Sequence, residues 1–230
     1  MKASRKIIWI LTIVVPLLTS GQEKCGNPGS KLEWLRKIAV NKNSYYLQIK
    51  DDFEFINPLA GDVIADVGNA DGYYPLLFSV FSDSVTFYLN DIANDRFIYF
   101  DSVKTLCERV KGRQLSNSFT IVMGNDSSTN LAAHFFDKVI IQDALHHFSK
   151  PDKMLADVKR IMKPQAQLFL YEPLRDKIED EKKVCKGAMT KAQLLALLKN
   201  YGFEMVKEMD RPIGFSWFEF RISANTKRHH

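Results

Sequence analysis

Two acidic residues and a pair of glycines carry the most chemistry in this sequence. An apolar run, Val63 to Ala65, ends in Asp66, and the turn Gly68-Asn69-Ala70-Asp71-Gly72 follows. A second apolar run, Ser84 to Leu89, ends in Asn90-Asp91-Ile92, which puts Asp91 19 residues beyond Gly72. Glycines at such a turn let a ligand approach the backbone closely. An acid at the end of the next strand can accept hydrogen bonds from a ribose diol. That chemistry is the holding of a nucleotide-like cofactor, although a tight strand-to-helix turn needs small residues in any case. Asp91 can equally serve as a helix cap.

Further along, Gly124-Asn125-Asp126 is a polar turn, which Gly, Asn and Asp also form with no ligand present. Gln142 and Asp143 close an apolar run, and His146 and His147 follow them. Adjacent histidines diverge by about 100° on a helix and face opposite ways on a strand, so the pair is a poor chelate for one ion. Packing and general-base roles both remain open for them. No Ser/His/Asp or metal-ligand constellation is present, and no metal is expected.

Elements that position these residues alternate along the chain. Strands are expected over Asp62–Ala65, Val85–Leu89, Phe119–Met123, Lys138–Gln142, Gln167–Tyr171, Phe203–Met209 and Trp217–Ile222. Helices are expected over Lys31–Val40, Tyr73–Phe81, Asn94–Lys111, Pro151–Met162 and Thr190–Asn200. Phe53 to Leu59 is an apolar stretch leading into the first strand. Val139-Ile140-Ile141 is the unbroken β-branched run of a strand buried on both faces. Only a turn separates the last two strands. The pattern predicts an α/β fold, doubly wound, with a mostly parallel seven-stranded sheet and an antiparallel last strand.

The bulk properties narrow the classes. A chain of 230 residues suits one α/β domain. Its net charge of +5 includes Lys2, Arg5 and Lys6, and no basic tract is dense enough to suggest nucleic acid. Those three cations precede Ile7 to Leu18, an uncharged and mostly apolar stretch, and then small residues. This predicts a signal peptide over 1–21 and export to a periplasmic or secreted location, with an uncleaved membrane anchor as the alternative. Residues 22–30 read as a flexible mature N-terminus, 31–224 as the domain and 225–230 as a tail. Cys25, Cys107 and Cys185 are too few for a disulfide scaffold. Cys107 reads as a small buried residue on a helix.

Taken in order, five segments resemble the class I S-adenosylmethionine-dependent methyltransferases. They are Asp66 to Gly72, Asp91, Gly124-Asn125-Asp126, Phe136 to Phe148, and Lys163-Pro164 with Tyr171-Glu172-Pro173. The resemblance implies S-adenosylmethionine as cofactor, held by Asp66, Gly68, Asn69, Gly72, Asp91, Ile92, Asn125, Asp126 and Gln142. His146 or His147 would be a general base. The implied acceptor is a small molecule, bound near Tyr45-Tyr46, Leu145 to Phe148 and Cys185 to Met189. This sequence departs from the family at Ala70, where the middle glycine of the first motif is usual. Positive φ there would cost alanine on the order of 1–2 kcal/mol. A non-catalytic exported binding protein on the same fold is the alternative reading. A nicotinamide-dependent oxidoreductase would want Gly-x-Gly-x-x-Gly, and Tyr73 stands at its last position.

Overall fold

The structure is a computed structural model that describes residues 42–93, 97, 100–178 and 184–224. The expected signal peptide, the helix over Lys31–Val40, Cys25 and the tail lie outside the described residues. Five helices are described: α1 (Lys42–Ile56), α2 (Tyr73–Ser79), α3 (Phe100–Lys111), α4 (Pro151–Ile161) and α5 (Lys191–Asn200). The strands are β1 (Val63–Val67), β2 (Thr86–Asp91), β3 (Ser118–Met123), β4 (Phe136–Gln142), β5 (Met162–Pro173), β6 (Phe203–Asp210) and β7 (Phe215–Ile222).

They form one seven-stranded sheet in the order β3-β2-β1-β4-β5-β7-β6. The first five strands run parallel, and β7 runs antiparallel to β5 and β6. From β1 the chain winds outward one way through β2 and β3, then returns to place β4 on the other side. The strand order therefore reverses between β1 and β4. Crevices form at the carboxyl ends of strands at such a point.

Side chains alternate across the sheet, and each face buries its own core. Val139, Ile141, Leu168 and Leu170 pack with Leu155 and Val158 of α4 and Leu194 and Leu198 of α5. On the opposite face Ile64, Phe87, Ile140, Phe169 and Trp217 pack with Ile49 and Phe55 of α1, Leu76 and Phe78 of α2, and Cys107 of α3. The run Val139-Ile140-Ile141 is thus buried on both faces, as its composition predicts. Thr190 starts α5 with a reciprocal capping box to Gln193.

Two elements differ from the sequence expectation. Residues 42–56 form a helix where only an apolar stretch from Phe53 was legible, because Lys50, Asp51, Asp52 and Glu54 break its apolar pattern. Asp52 is nevertheless buried, and accepts the indole N–H of Trp217 at 2.9 Å. The second difference is that β5 begins at Met162, and so contains Lys163-Pro164. Met162 pairs with Phe136 and Gln167 with Lys138, which leaves 163–166 outside the ladder at an irregularity. Proline, lacking a donor, is tolerated at such a position.

Candidate functional site

Asp66 stands near the end of β1, and Asp91 ends the neighbouring β2. Between them the loop after β1 takes positive φ at Gly68 (75°), Ala70 (59°) and Gly72 (74°). Asn90 O accepts the N–H groups of Gly68 (2.9 Å) and Asn69 (3.1 Å), so the end of β2 carries the loop. Asp91 Oδ2 accepts Ala70 N–H at 2.8 Å, and its Oδ1 accepts Ile92 N–H (2.7 Å) and Ala93 N–H (3.0 Å). Ala70 therefore does adopt the left-handed conformation, with its N–H bound by Asp91.

Asp66 is buried and accepts a hydrogen bond from Asn69 Nδ2. Burial pushes its carboxyl up to about 7; the Asn69 bond opposes this, while Asp71 and Asp91 add to it. The Asn69 Oδ1 atom is buried with no hydrogen-bond partner, an acceptor awaiting a donor. Ile92, beside Asp91, is 65% exposed, an apolar side chain in the open next to the candidate ribose acid. These residues suit a nucleoside cofactor: an acid for the diol, an apolar face for the base and an unsatisfied buried acceptor.

Gly68 also joins this loop to the one after β4. A Cβ on Gly68 would meet Ala144 Cβ at 2.7 Å and the Phe148 ring at 3.3 Å, so both side chains lie directly on the glycine. Gln142 ends β4, and its side chain lies close enough to the Tyr74 hydroxyl to oppose the upward pull of burial on that phenol. Leu145 to His147 then form a single 3-10 turn. His146 is turned inward, with no side-chain exposure, and its Nδ1 lies 2.6 Å from Glu172 Oε2. Glu172 Oε1 accepts the N–H groups of Ala144 (3.1 Å) and Leu145 (2.8 Å). Burial opposes charging the imidazole, but the bond and charge of Glu172 outweigh it, and the pKa of His146 is raised. In the neutral tautomer that donates Nδ1–H to Glu172 the lone pair sits on Nε2, which is buried without a hydrogen bond and has Asp143 Oδ1 3.8 Å away. His147 is exposed. The two histidines thus differ in environment, and only His146 is built into the site.

The turn after β3 stands apart from this group. Asn125 Oδ1 accepts the N–H groups of Ser127 (2.9 Å) and Ser128 (3.0 Å), closing the turn on itself. Asp126 is exposed and ion-paired with Lys150. Asn90, whose carbonyl supports the glycine loop, donates its Nδ2 to Val122 O and Thr129 O, both at 2.8 Å, linking this turn to β2. The structure therefore gathers Asp66, Gly68, Asn69, Gly72, Asp91, Ile92, Gln142 and His146 at one sheet edge. Asn125 and Asp126 lie at its flank. Two contributors, Asn90 and Glu172, were not legible as site residues. The only signal for Glu172 is a carboxylate that interrupts an apolar strand.

Residues 81–170 match a family model described as a methyltransferase domain. No curated protein matches the chain. A SAM-dependent methyltransferase from Aquifex aeolicus superposes with a TM-score of 0.63 at 17% identity, covering 83% of this chain and 97% of that one. A Haloferax volcanii structure, a complex of the Trm112 methyltransferase activator and a putative methyltransferase, gives 0.58 at 12% identity, covering 82% and 97%. The [4+2]-cyclase SpnF gives 0.56 at 16% identity, covering 79% and 81%. A fold shared with a cyclase leaves the reaction to be argued from the site.

Proposed function

We propose that this chain, which carries a methyltransferase domain on the fold of the S-adenosylmethionine-dependent methyltransferases, transfers a methyl group from that cofactor to a small-molecule acceptor. The observation that carries the reading is the pair of acids at the ends of β1 and β2, which hold the loop between them, Asp66 through Asn69 and Asp91 through Ala70. Asp91 would hold the ribose, Ile92 the adenine face, and Asp66 with Asn69 the polar end of the donor. Bound there, the cofactor supplies an activated methyl group. The chain has to align donor and acceptor and exclude water.

His146 is the general base of this reading. Glu172 holds Nδ1–H, so Nε2 can take the proton of a hydroxyl, thiol or ammonium acceptor as it is methylated. A base is needed only for an acceptor that carries a proton at working pH, which makes such a group the preferred target. Small size is favoured because the sequence has no dense basic tract for nucleic acid. No described helix is long and apolar enough to cross a membrane. Export is part of the proposal. The basic and apolar segment at residues 1–21 supports it, and so does the disulfide at Cys185, a bond that persists in oxidising compartments.

Calorimetry with S-adenosylhomocysteine tests the reading. Binding is expected, weakened at least about tenfold in Asp91→Ala, a loss of about 1.4 kcal/mol. No heat of binding at about millimolar ligand overturns it, and leaves the non-catalytic alternative.

A further inference from the structure

The two edges of the sheet are built differently. β6 closes one edge and carries Glu204, Lys207, Glu208 and Asp210, with an irregularity in its ladder between Met205 and Lys207. Charges and irregularities of this kind keep an edge strand from pairing with another chain. β3 closes the other edge with Ser118-Phe119-Thr120-Ile121-Val122-Met123, which holds no charge and no proline, in an unbroken ladder to β2. Among the described residues no strand pairs with its outer side.

The backbone groups of β3 have a fixed sense. Ser118 N–H donates to Val85 O and Gly124 N–H to Asp91 O, both at 3.0 Å and both toward β2. Such groups alternate sides along a strand, so those of Phe119, Ile121 and Met123 face outward. Met123 O is already taken by Asn130 Nδ2 at 2.9 Å, which ends the open stretch. Phe119 and Ile121 remain, with their side chains on one face of the sheet and Thr120 on the other. Ile121 is 45% exposed, and Thr120 is exposed as well. On the face of Thr120, exposed Phe135 stands edge-on to Tyr88, the β2 residue paired with Thr120.

This strand is complementary to itself. A second copy, turned about a two-fold axis normal to the sheet at Thr120, runs antiparallel to the first. Phe119 then lies opposite the partner's Ile121 on either side of the axis. Both residues face outward, so each pair exchanges its backbone bonds and joins two apolar side chains. Thr120 meets the partner's Thr120 in the closer pair, where the hydroxyls can bond each other. A foreign strand would have to carry a matching sequence, whereas a second copy supplies it by symmetry. We propose that the chain forms a two-fold dimer through β3, in the register centred on Thr120. This contact is independent of the methyl-transfer reading, and its test needs neither cofactor nor acceptor.

Sedimentation velocity of the full chain from about 1 to about 100 μM should show a monomer–dimer equilibrium. Ile121→Lys seats a charge among the apolar pairs and should weaken the dimer at least about tenfold. Val206→Lys, at an exposed apolar position on β6, should leave it unchanged. Thr120→Cys should cross-link to its own copy under mild oxidation, since the closer antiparallel pairs hold their Cα atoms about 4.5 Å apart, within disulfide reach. Ser118→Cys faces the partner's Val122 in this register and should cross-link no faster than wild type. A chain that stays monomeric throughout overturns the dimer, whether the edge then stands idle or takes a strand from another protein. So does a dimer that survives Ile121→Lys, or cross-linking through Ser118→Cys as fast as through Thr120→Cys.

Discussion

Asp66→Asn should stabilise the protein at alkaline pH and not at acid pH. The wild-type carboxyl is fully buried, and burial lifts it from 3.8 to about 7, with Asp71 and Asp91 adding to the rise and Asn69 opposing it. A carboxyl whose folded pKa is raised binds more protons folded than unfolded, so stability falls as pH rises from about 4 to about 7. Above 7 the acid is charged in both states and the folded state bears the whole deficit. About three pKa units at 1.4 kcal/mol each is a deficit of about 4 kcal/mol. Asparagine removes the charge and keeps an acceptor for Asn69 Nδ2, but adds a buried amide N–H₂ whose loss of water costs about 1–2 kcal/mol. The net expectation is a gain of about 2–3 kcal/mol near pH 8 and none, or a small loss, near pH 4. Urea unfolding of both proteins at the two pH values measures it. A difference between mutant and wild type that does not change with pH would refute the reasoning. The same substitution should weaken S-adenosylhomocysteine binding, since a buried carboxylate held at such cost suits the ammonium group at that ligand's amino-acid end.

Other outcomes follow from the same geometry. Glu172→Gln removes the charge that chiefly raises His146 and leaves burial, which lowers it, with Asp143 the remaining group that raises it, so the imidazole titration seen by NMR should move down. An unmoved titration would detach His146 from Glu172. Ala70→Gly should change the unfolding free energy from urea titration by no more than about 1 kcal/mol, because relief of the φ 59° strain offsets the added freedom of glycine in the unfolded chain. A larger loss would mean that the methyl group packs. Asp52→Ala should cost about 2–4 kcal/mol in the same assay, since it strands the buried Trp217 indole N–H and removes the ion pair of Arg211 Nε at 3.2 Å. Asp52 itself is lifted by burial, against Arg211, to about 6, so the wild type gains stability as pH falls from about 6 toward 4 and the cost of the substitution should grow over that range.

What the sequence made legible is what depends on local pattern. The run Val139-Ile140-Ile141, the Thr190 cap and the turn-linked last strands each follow from periodicity or a short-range bond, and each stands in the structure as expected. So does buried Cys107 on α3. The acids at the ends of β1 and β2 were visible because an acid after an apolar run is unusual. The rest depends on partners distant in sequence. Nothing near Asp52 in sequence marks it as buried; its hydrogen bond comes from Trp217, 165 positions away. Glu172 looked like a strand-end charge, until it took three donors from residues 144–146. Its role could not be read because a buried acid and a solvated one are spelled alike.

Ala70 shows how such distant partners change the meaning of a local rule. By local rule alone, alanine in a glycine position is a defect, costing on the order of 1–2 kcal/mol in the left-handed region. That conformation also aims its N–H at Asp91 Oδ2, 2.8 Å away. A hydrogen bond to a charged acceptor contributes about 1.5–3 kcal/mol, enough to offset the strain. The bond comes from the backbone, so glycine would make it as well; alanine is tolerated here rather than required. It also fills one acceptor position on the carboxylate that would bind ribose, whose other oxygen already takes Ile92 and Ala93 N–H. A carboxylate has roughly four lone-pair sites. With three taken by the chain's own backbone, a ribose diol must displace the Ala70 bond or share it. If Asp91 takes the ribose as proposed, the Ala70 bond should be displaced and amide exchange at Ala70 should quicken when S-adenosylhomocysteine binds; unchanged or slower exchange would count against that role for Asp91.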